Sequence, residues 1–539
     1  MPTLEWIGKD KVINHDKEIP FRLLKEKPEL SINGDESENL IIHGDNLEAL
    51  KALLPKYYGK VKMIYIDPPY NTGEEGWVYN DKVNSPQMKD WLGKVVGKEA
   101  DDLCRHDKWL CMMYPRLKLL KELLIEEGVI FISIDDYENH HLKLIMNEIF
   151  GINNFISSVS RITKKGGNAG RFFAPSVDNI VIYAKNKEIA KQFREILGID
   201  DLNRIYKEED EEGPFYWRNF YESALDLERS INTRYFIEAP DKTKIIPPEG
   251  HRWRRVEESF LKEKNQGIIK FEKVKKSPHL DEKGEPAKWE VFYKLRPKPF
   301  VPNNFYVFEE NIQNALGTIA LNQLDIDFPF SKPPQLIKKI INLCIGQEQT
   351  KTRCVILDSF AGSGTTAHAV LQLNKEDGGN RKFILVEMED YTNPITAERV
   401  RRVINGYGDV EGTGGGFKYM ELGPELFDKH KQIIGDPAYD DLADYIFFTE
   451  AGTTESKAKK NKKDFYIGEK NGVHYFVIYK GRGDRKLISD NVLEESFLTI
   501  VDKYEGKKVI YADAVLLDDE TLDEHKIEFK QIPYEIKAF

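Results

Sequence analysis

Two short segments carry residue types and spacings suited to chemistry on a planar, aminated heterocycle. The first is Asp67-Pro68-Pro69-Tyr70. The Asp67 carboxylate can accept a hydrogen bond from an exocyclic amino group. Pro68 and Pro69 stiffen the turn and leave carbonyl acceptors with no competing N–H. Tyr70 offers a flat face on which a base can stack, a contact worth about 1–3 kcal/mol. The plainer alternative is a strand-ending turn in which the aspartate caps a helix and the tyrosine packs locally. The second segment is Asp358-Ser359-Phe360-Ala361-Gly362-Ser363-Gly364-Thr365-Thr366. Its glycines permit a tight strand-to-helix turn and close approach of a ligand. The full G-x-G-x-x-G fingerprint is absent, as is the lysine of a phosphate-binding loop. Glu387 ends the next apolar run, where its carboxylate can accept hydrogen bonds from ribose hydroxyls. A nucleoside-bearing ligand without a pyrophosphate fits this set better than NAD or ATP.

Such groups need a rigid sheet edge to hold them, and the surrounding pattern predicts one. Val61–Ile66 is an apolar run without glycine or proline, the signature of a buried parallel strand, and it stops at the two prolines. Val355–Asp358 and Phe383–Glu387 read the same way, with a helix beginning near Ala367 between them. Ile41–Asp45 reads as a strand followed by a helix over 47–54. A helix over 107–127, ended by Gly128, leads to a strand at Val129–Ile134 and a second helix near 140–150. Strands at 155–161 and 179–185 complete the set. The expectation is an α/β fold whose mostly parallel sheet carries one antiparallel strand near its edge and binds ligands at its carboxyl ends.

D-P-P-Y-N-T-G together with D-x-F-A-G-S-G-T-T resembles the amino-methyltransferases that act on DNA with S-adenosylmethionine. The order, with D-P-P-Y first, resembles the β-class, a circularly permuted Rossmann-like form of that fold. The phrase Ile41-Ile42-His43-Gly44-Asp45-Asn46-Leu47-Glu48-Ala49-Leu50 is similar to the modification (Mod) subunits of type III restriction-modification systems. The resemblance implies a catalytic segment at Asp67, Pro68, Pro69 and Tyr70, and a cofactor site formed by Asp358, Phe360, Ala361, Gly362, Ser363, Gly364, Thr365, Thr366 and Glu387. It also implies that Lys332, in Ser331-Lys332-Pro333-Pro334, lines the methionine end of that site. Asp45 would lie near the adenine of the cofactor; the residue type serves equally as a helix N-cap. Residues 71–105 resemble a mobile loop over the cleft. No metal is implied. The expected reaction is methylation of the N6 amino group of a flipped adenine in duplex DNA, in the cytoplasm, by a homodimer that assembles with a helicase-nuclease restriction subunit. Cytosine N4 methylation uses the same geometry, but members with that specificity usually carry serine at the position of Asp67. A solitary adenine methyltransferase, a methyltransferase acting on RNA or protein amides, and a non-catalytic DNA-binding subunit are the other readings.

Domain organisation follows from where the alternating pattern breaks. The expectation is a lead-in over 1–37, methyltransferase halves at 38–185 and 328–418, and a target-recognition domain inserted at 186–327. A small C-terminal α/β module over 419–539 would contain a hairpin about Asn471-Gly472 and a helix at about 491–504. Candidate DNA contacts are Lys164, Lys165 and Arg171 in a basic, glycine-rich loop, and Arg252, Arg254, Arg255, Lys275 and Lys276 in the inserted segment. Each of these residues, taken singly, also reads as ordinary solvated surface. Gly412–Gly416 is a candidate hinge.

The chain has 539 residues, 31% of them charged, and a net charge of −11. Affinity for DNA needs Lys and Arg opposite phosphates, so any DNA surface must be a local patch. The mean hydropathy of −0.52 and the lack of a long apolar run argue against a membrane protein. The four cysteines form no CxxC pair, which indicates neither a disulfide framework nor a zinc ribbon.

Overall fold

The computed structural model describes residues 3–71, 105–164, 172–174, 176–195, 199–224, 232–304, 308, 312–345, 353–428, 433–481 and 490–532. The expected loop over 71–105, apart from its first and last residues, lies outside the described residues, as do Lys165 and Arg171. The chain forms two compact units: Met1–Phe193 with Pro302–Phe539, and Arg194–Val301.

The larger unit is built on a nine-stranded sheet. Its strands in chain order are β1 (Arg22–Glu26), β2 (Leu40–His43), β3 (Val61–Ile66), β4 (Leu124–Ile134), β5 (Phe155–Ile162), β6 (Val177–Ala184), β7 (Cys354–Asp358), β8 (Arg381–Glu387) and β9 (Lys418–Glu425). Across the sheet they run β1-β9-β2-β8-β7-β3-β4-β6-β5. The stretch from β9 to β4 is parallel throughout, and β6 runs antiparallel to both β4 and β5. Every residue of β3 is buried, as a central strand covered on both faces requires.

Alternate side chains of the strands feed two cores. Ile42, Ile64, Ile66, Ile130 and Leu357 face α1 (Asn46–Tyr57), α2 (Arg105–Leu123) and α3 (Asn139–Phe150). Ile41, Met63, Phe131 and Ile356 face α4 (Pro334–Ile345), α5 (Thr365–Asp377) and α6 (Glu398–Asn405). Burial of each such aliphatic side chain contributes about 1.5–3 kcal/mol, which sets the register of the strands that carry the motifs.

The structure departs from the expected elements in four places. Residues 1–37 are no irregular lead-in: short helical turns at Lys9–Val12 and His15–Glu18 precede β1, which pairs antiparallel with β9 at the sheet edge. Gly128 does not end a helix. Helix α2 stops at Leu123, and residues 125–128 form an irregularity within β4, where Val61 pairs with Leu124 and Met63 with Val129. A side chain at Gly128 would lie 2.8 Å from the Ile125 carbonyl, so the close bend accounts for the glycine. Gly412–Gly416 is clamped rather than hinged. A Cβ at Gly416 would meet the Ile32 carbonyl at 2.3 Å, and that glycine's own carbonyl accepts from Ser37 and Asn39. Finally, the helix expected at about 491–504 is confined to a short 3-10 turn at Glu495–Phe497 and a single helical turn at Leu498–Val501.

After β9 the chain adds α7 (Tyr439–Ala451) and a four-stranded sheet of β10 (Tyr466–Lys470), β11 (Val473–Val477), β12 (Lys507–Ala512) and β13 (Ile527–Gln531). The β10–β11 hairpin turns at Asn471 and Gly472, with φ of 53° and 79°, as a two-residue primed turn requires. Helix α7 packs on α1, and its Phe448 ring lies 5.3 Å from that of Tyr58.

The smaller unit holds a four-stranded antiparallel sheet of Ile269–Lys273, Trp289–Leu295, Gly213–Asn219 and Glu208–Asp210. Its core gathers Phe220, Trp253, Phe260 and Tyr293. It begins and ends inside the span expected for the inserted domain.

Among the described residues, no helix is long and apolar enough to cross a membrane.

Candidate active site

The strands β2, β8, β7 and β3 are parallel neighbours, so their carboxyl ends lie side by side. Asp45, Glu387, Asp358 and Asp67 follow those ends in that order across the sheet. The two motifs, far apart in the chain, therefore meet on adjacent strands.

The Asp67 carboxylate is held from both sides. Its Oδ1 accepts from the Tyr70 hydroxyl at 2.8 Å, and its Oδ2 accepts from the Lys332 ammonium at 2.5 Å. Lys332 also donates to the Tyr70 hydroxyl at 3.0 Å and lies 5.1 Å from the centre of that ring. The lysine is thus the counter-ion of the D-P-P-Y carboxylate. Burial and the adjacent Asp67 push the Tyr70 phenol well above its ordinary range, so it remains a donor. Behind it stand Asp178, 3.5 Å from the Tyr70 oxygen, and the fully buried Arg161, whose Nε donates to Asp178 at 2.8 Å.

Two further anchors fix the turn. The Trp109 indole donates to the Pro69 carbonyl at 2.7 Å. Asn71, at φ 57°, donates to the buried Glu138, which also accepts from the Nδ1 atoms of His106 at 2.7 Å and His141 at 2.8 Å. These rings and the carboxylate have the spacing of metal ligands, but the contacts already satisfy both carboxylate oxygens.

The glycine turn is secured by the two carboxylates that flank it. Asp358 accepts from the Phe360 backbone at 3.1 Å and from the Thr366 hydroxyl at 2.5 Å. Glu387 accepts from the backbone N–H groups of Gly362 at 2.8 Å, Met388 at 2.9 Å and Glu389 at 3.2 Å. Burial pushes both acids up to about 7, against the lowering effect of these donors. Gly362 and Gly364 have φ of 51° and 81°. A Cβ at Gly364 would sit 3.0 Å from the Thr396 carbonyl, in a π-helical turn that precedes α6.

Asp45 is an N-cap: one oxygen accepts from the Leu47 and Glu48 backbones, and the other from buried Arg116 at 3.0 Å. A small cleft is lined by Tyr65, Asp67, Ser331, Lys332, Asp358, Phe360, Ala361, Ser363, Thr365 and Thr366, with Phe328 and Phe330 beside them. The structure thus brings together Asp67, Lys332, Asp358 and the glycine turn. Asp45 stays on its own helix, one strand beyond Glu387.

Sequence reasoning missed Trp109, Asp178, Arg161, the Glu138 cluster and Ser331. None lies in a recognisable motif, although Ser331 directly precedes the Lys-Pro pair. It also gave no role to Arg399, on α6. That residue is fully buried, and among the described residues no carboxylate pairs with it. An ion so removed from water is costly unless compensated.

The candidate DNA contacts divide into exposed lysines and arginines paired with acids. Lys164 is exposed. Arg252 and Arg254 share Glu222 and Arg255 pairs with Glu263, while Lys275 and Lys276 are exposed. No base-reading geometry follows from these contacts.

The Mod subunit of the type III restriction-modification enzyme EcoPI, from Escherichia phage P1, is 33% identical over 72% of this chain and 64% of its own length. The StyLTI Mod subunit from Salmonella typhimurium is 33% identical over 78% of this chain and 66% of its own length. The chain thus spans slightly less than two thirds of those relatives. The type II methyltransferase M.KpnI from Klebsiella pneumoniae is 29% identical over 72% of this chain and 91% of its own length. Residues 61–398, which hold both motif turns, match the DNA methylase family, and the chain belongs to that family.

Proposed function

We propose that this chain transfers a methyl group from S-adenosylmethionine to N6 of a flipped adenine in duplex DNA, as the modification subunit of a type III restriction-modification system. The carrying observation is the placement of Asp67, held by Lys332 and Tyr70, one strand from the glycine turn. In the same reading the fold is the permuted β-class form, the inserted segment 186–327 recognises the target, and the chain works as a homodimer with a helicase-nuclease partner.

The donors and acceptors at these strand ends fit the ligand. Glu387 retains lone pairs for ribose hydroxyls, Phe360 offers an apolar wall, and Ser331, Ser363 and Thr365 offer hydroxyls at the far end. When bound, S-adenosylmethionine supplies an electrophilic methyl group on a sulfonium that leaves readily. The N6 lone pair is delocalised into the ring. Asp67 and the Pro68 carbonyl accept from the amino group, draw it toward tetrahedral geometry and localise that pair. Lys332 holds the second carboxylate oxygen, so the accepting oxygen keeps its direction. Alignment then carries much of the rate. Stacking on Tyr70 offsets part of the few kcal/mol that flipping costs.

The test is nucleoside mass spectrometry of duplex DNA incubated with the protein and isotopically labelled S-adenosylmethionine. Labelled N6-methyladenine is expected. Labelled N4-methylcytosine would overturn the adenine assignment, and no label with the helicase-nuclease partner present would overturn the reading. The alternative within the same chemistry is a solitary methyltransferase that works without such a partner. Full activity without co-purification of a helicase-nuclease subunit would select it.

A further inference from the structure

Resting on the S-adenosylmethionine reading above, we infer that Arg399 is the counter-charge for the carboxylate of the methionine arm, acting through the Ser363 hydroxyl in a triad with Ser331 and Thr365. Its Nη1 donates to Ser363 Oγ at 2.7 Å, Thr365 Oγ1 at 2.8 Å and Ser331 Oγ at 3.1 Å. All three hydroxyls line the cleft that also holds Asp67. The guanidinium Nε meets His368 Nδ1 at 3.3 Å. Burial holds that imidazole well below its ordinary range, so it is a neutral acceptor and not a second charge. Nη2 is buried and has no partner among the described residues. The neighbouring Glu398 is taken by Arg401 and Arg402. Burial without an acid lowers the guanidinium to about 9, which still leaves it charged at neutral pH.

A buried cation with no acid among the described residues, set behind three hydroxyls, is a site prepared for an anion. All three hydroxyls accept from the guanidinium; the Thr365 and Ser331 protons go to the Lys332 carbonyl at 3.2 and 3.3 Å, which leaves that of Ser363 for a ligand. Ser363 is therefore the polarised O–H donor that the triad presents to the cleft. The direction of the ligand agrees. In the proposed function its nucleoside would lie toward Glu387 on β8 and its methyl group would face Asp67 on β3. The third substituent on sulfur would then be left with the wall formed by the glycine turn and Ser331. Lys332, the other cation at that wall, is committed to Asp67 at 2.5 Å. Arg399 is therefore a positioning residue for the amino-acid arm, and it anchors the sulfonium along the line of transfer.

The experiment compares binding of S-adenosylmethionine and decarboxylated S-adenosylmethionine to the full-length protein by calorimetry. The two share sulfonium and nucleoside and differ only in the carboxylate. Wild type should prefer the carboxylated ligand by about 10- to 100-fold, the worth of a charge-assisted hydrogen bond. Arg399→Met should bring the ratio near unity, Arg399→Lys should restore part of it, and Ser363→Ala should reduce it. A merely structural arginine would weaken both ligands together and leave the ratio intact, which overturns the inference. Equal affinities in wild type also overturn it, and that measurement needs no variant to fold. If wild type binds neither ligand, the S-adenosylmethionine reading itself fails. Ser363→Ala removes the shortest of the three hydroxyl contacts, and an unchanged ratio in that variant rejects the hydroxyl relay.

Discussion

Asp67 works as one member of a three-residue unit. Its two oxygens are divided between Tyr70 and Lys332, so an incoming amine must use the remaining lone pair on Oδ1 or replace the tyrosine hydroxyl. On the proposed function, Asp67→Ala should abolish methyl transfer and leave S-adenosylmethionine affinity within about threefold, because it leaves the proposed cofactor site at the glycine turn intact. Tyr70→Ala should be milder than Tyr70→Asp, which would place a second anion beside Asp67. Single-turnover assays with parallel calorimetry measure both. Asp358 makes a different prediction. Its folded-state value of about 7 lies above the ordinary 3.8, because burial penalises the anion. The native state therefore holds the proton more tightly than the unfolded chain. This contribution to stability is present below about 3.8 and is lost as pH rises through about 7. Asp358→Asn imitates the protonated form. Its Tm relative to wild type should be higher at pH 8 than at pH 5; a constant difference across that range would mean the acid is already ionised when folded.

At the scale of elements, the decisive unit is the turn from β7 into α5. It is tied by Asp358 on one side, Glu387 on the other, and Thr396, whose hydroxyl donates to the Gly362 carbonyl at 2.5 Å. The π-helical turn before α6 places Thr396 there, and such turns recur at functional sites. Gly364→Ala must adopt a φ near 81° and crowd the Thr396 carbonyl. We expect a loss of about 1–3 kcal/mol in unfolding free energy and weaker cofactor binding, with DNA affinity unchanged. Chemical denaturation and calorimetry check the two halves separately. Much of this element was legible beforehand: the strands, the turn and Glu387 follow from local apolar runs and glycine spacing. The end of α2 was not. Gly128 looks like a helix stop, yet the bend it permits belongs to β4, whose pairing with β3 is a tertiary fact.

The whole molecule carries a net charge of −11, yet it is expected to grip a polyanion. Binding must then come from a restricted set of cations, and in the smaller unit all three arginines proposed for it are already engaged with acids. Lys275 and Lys276 are exposed. If both meet phosphates, Lys275→Glu with Lys276→Glu should lower the slope of log K against log salt by about 0.9 for each phosphate no longer neutralised. A slope unchanged from wild type would remove both lysines from the interface. The C-terminal sheet is joined to the catalytic sheet through α7, where Lys56 meets Asp441 at 2.8 Å and Thr454 donates to the Tyr58 carbonyl at 3.1 Å.

Local chemistry along the chain specifies the strands and the two motif turns. Apolar runs, prolines and glycines act within a few residues of one another, and their periodicity can be read without any knowledge of neighbours in space. It also specifies that a carboxylate, an aromatic ring and a glycine turn are available for one site. Which groups become partners is settled by long-range packing alone. Lys332 lies 265 positions from Asp67, and Asn46 reaches the carbonyl of Ser359 across 313. Whether a charged side chain ends in solvent, against an acid or alone in the core depends on how such distant segments pack. Arg399 shows the difference: in the sequence it is one of three arginines on a helix, and only its burial, with no acid partner among the described residues, marks it as a charge awaiting an anion.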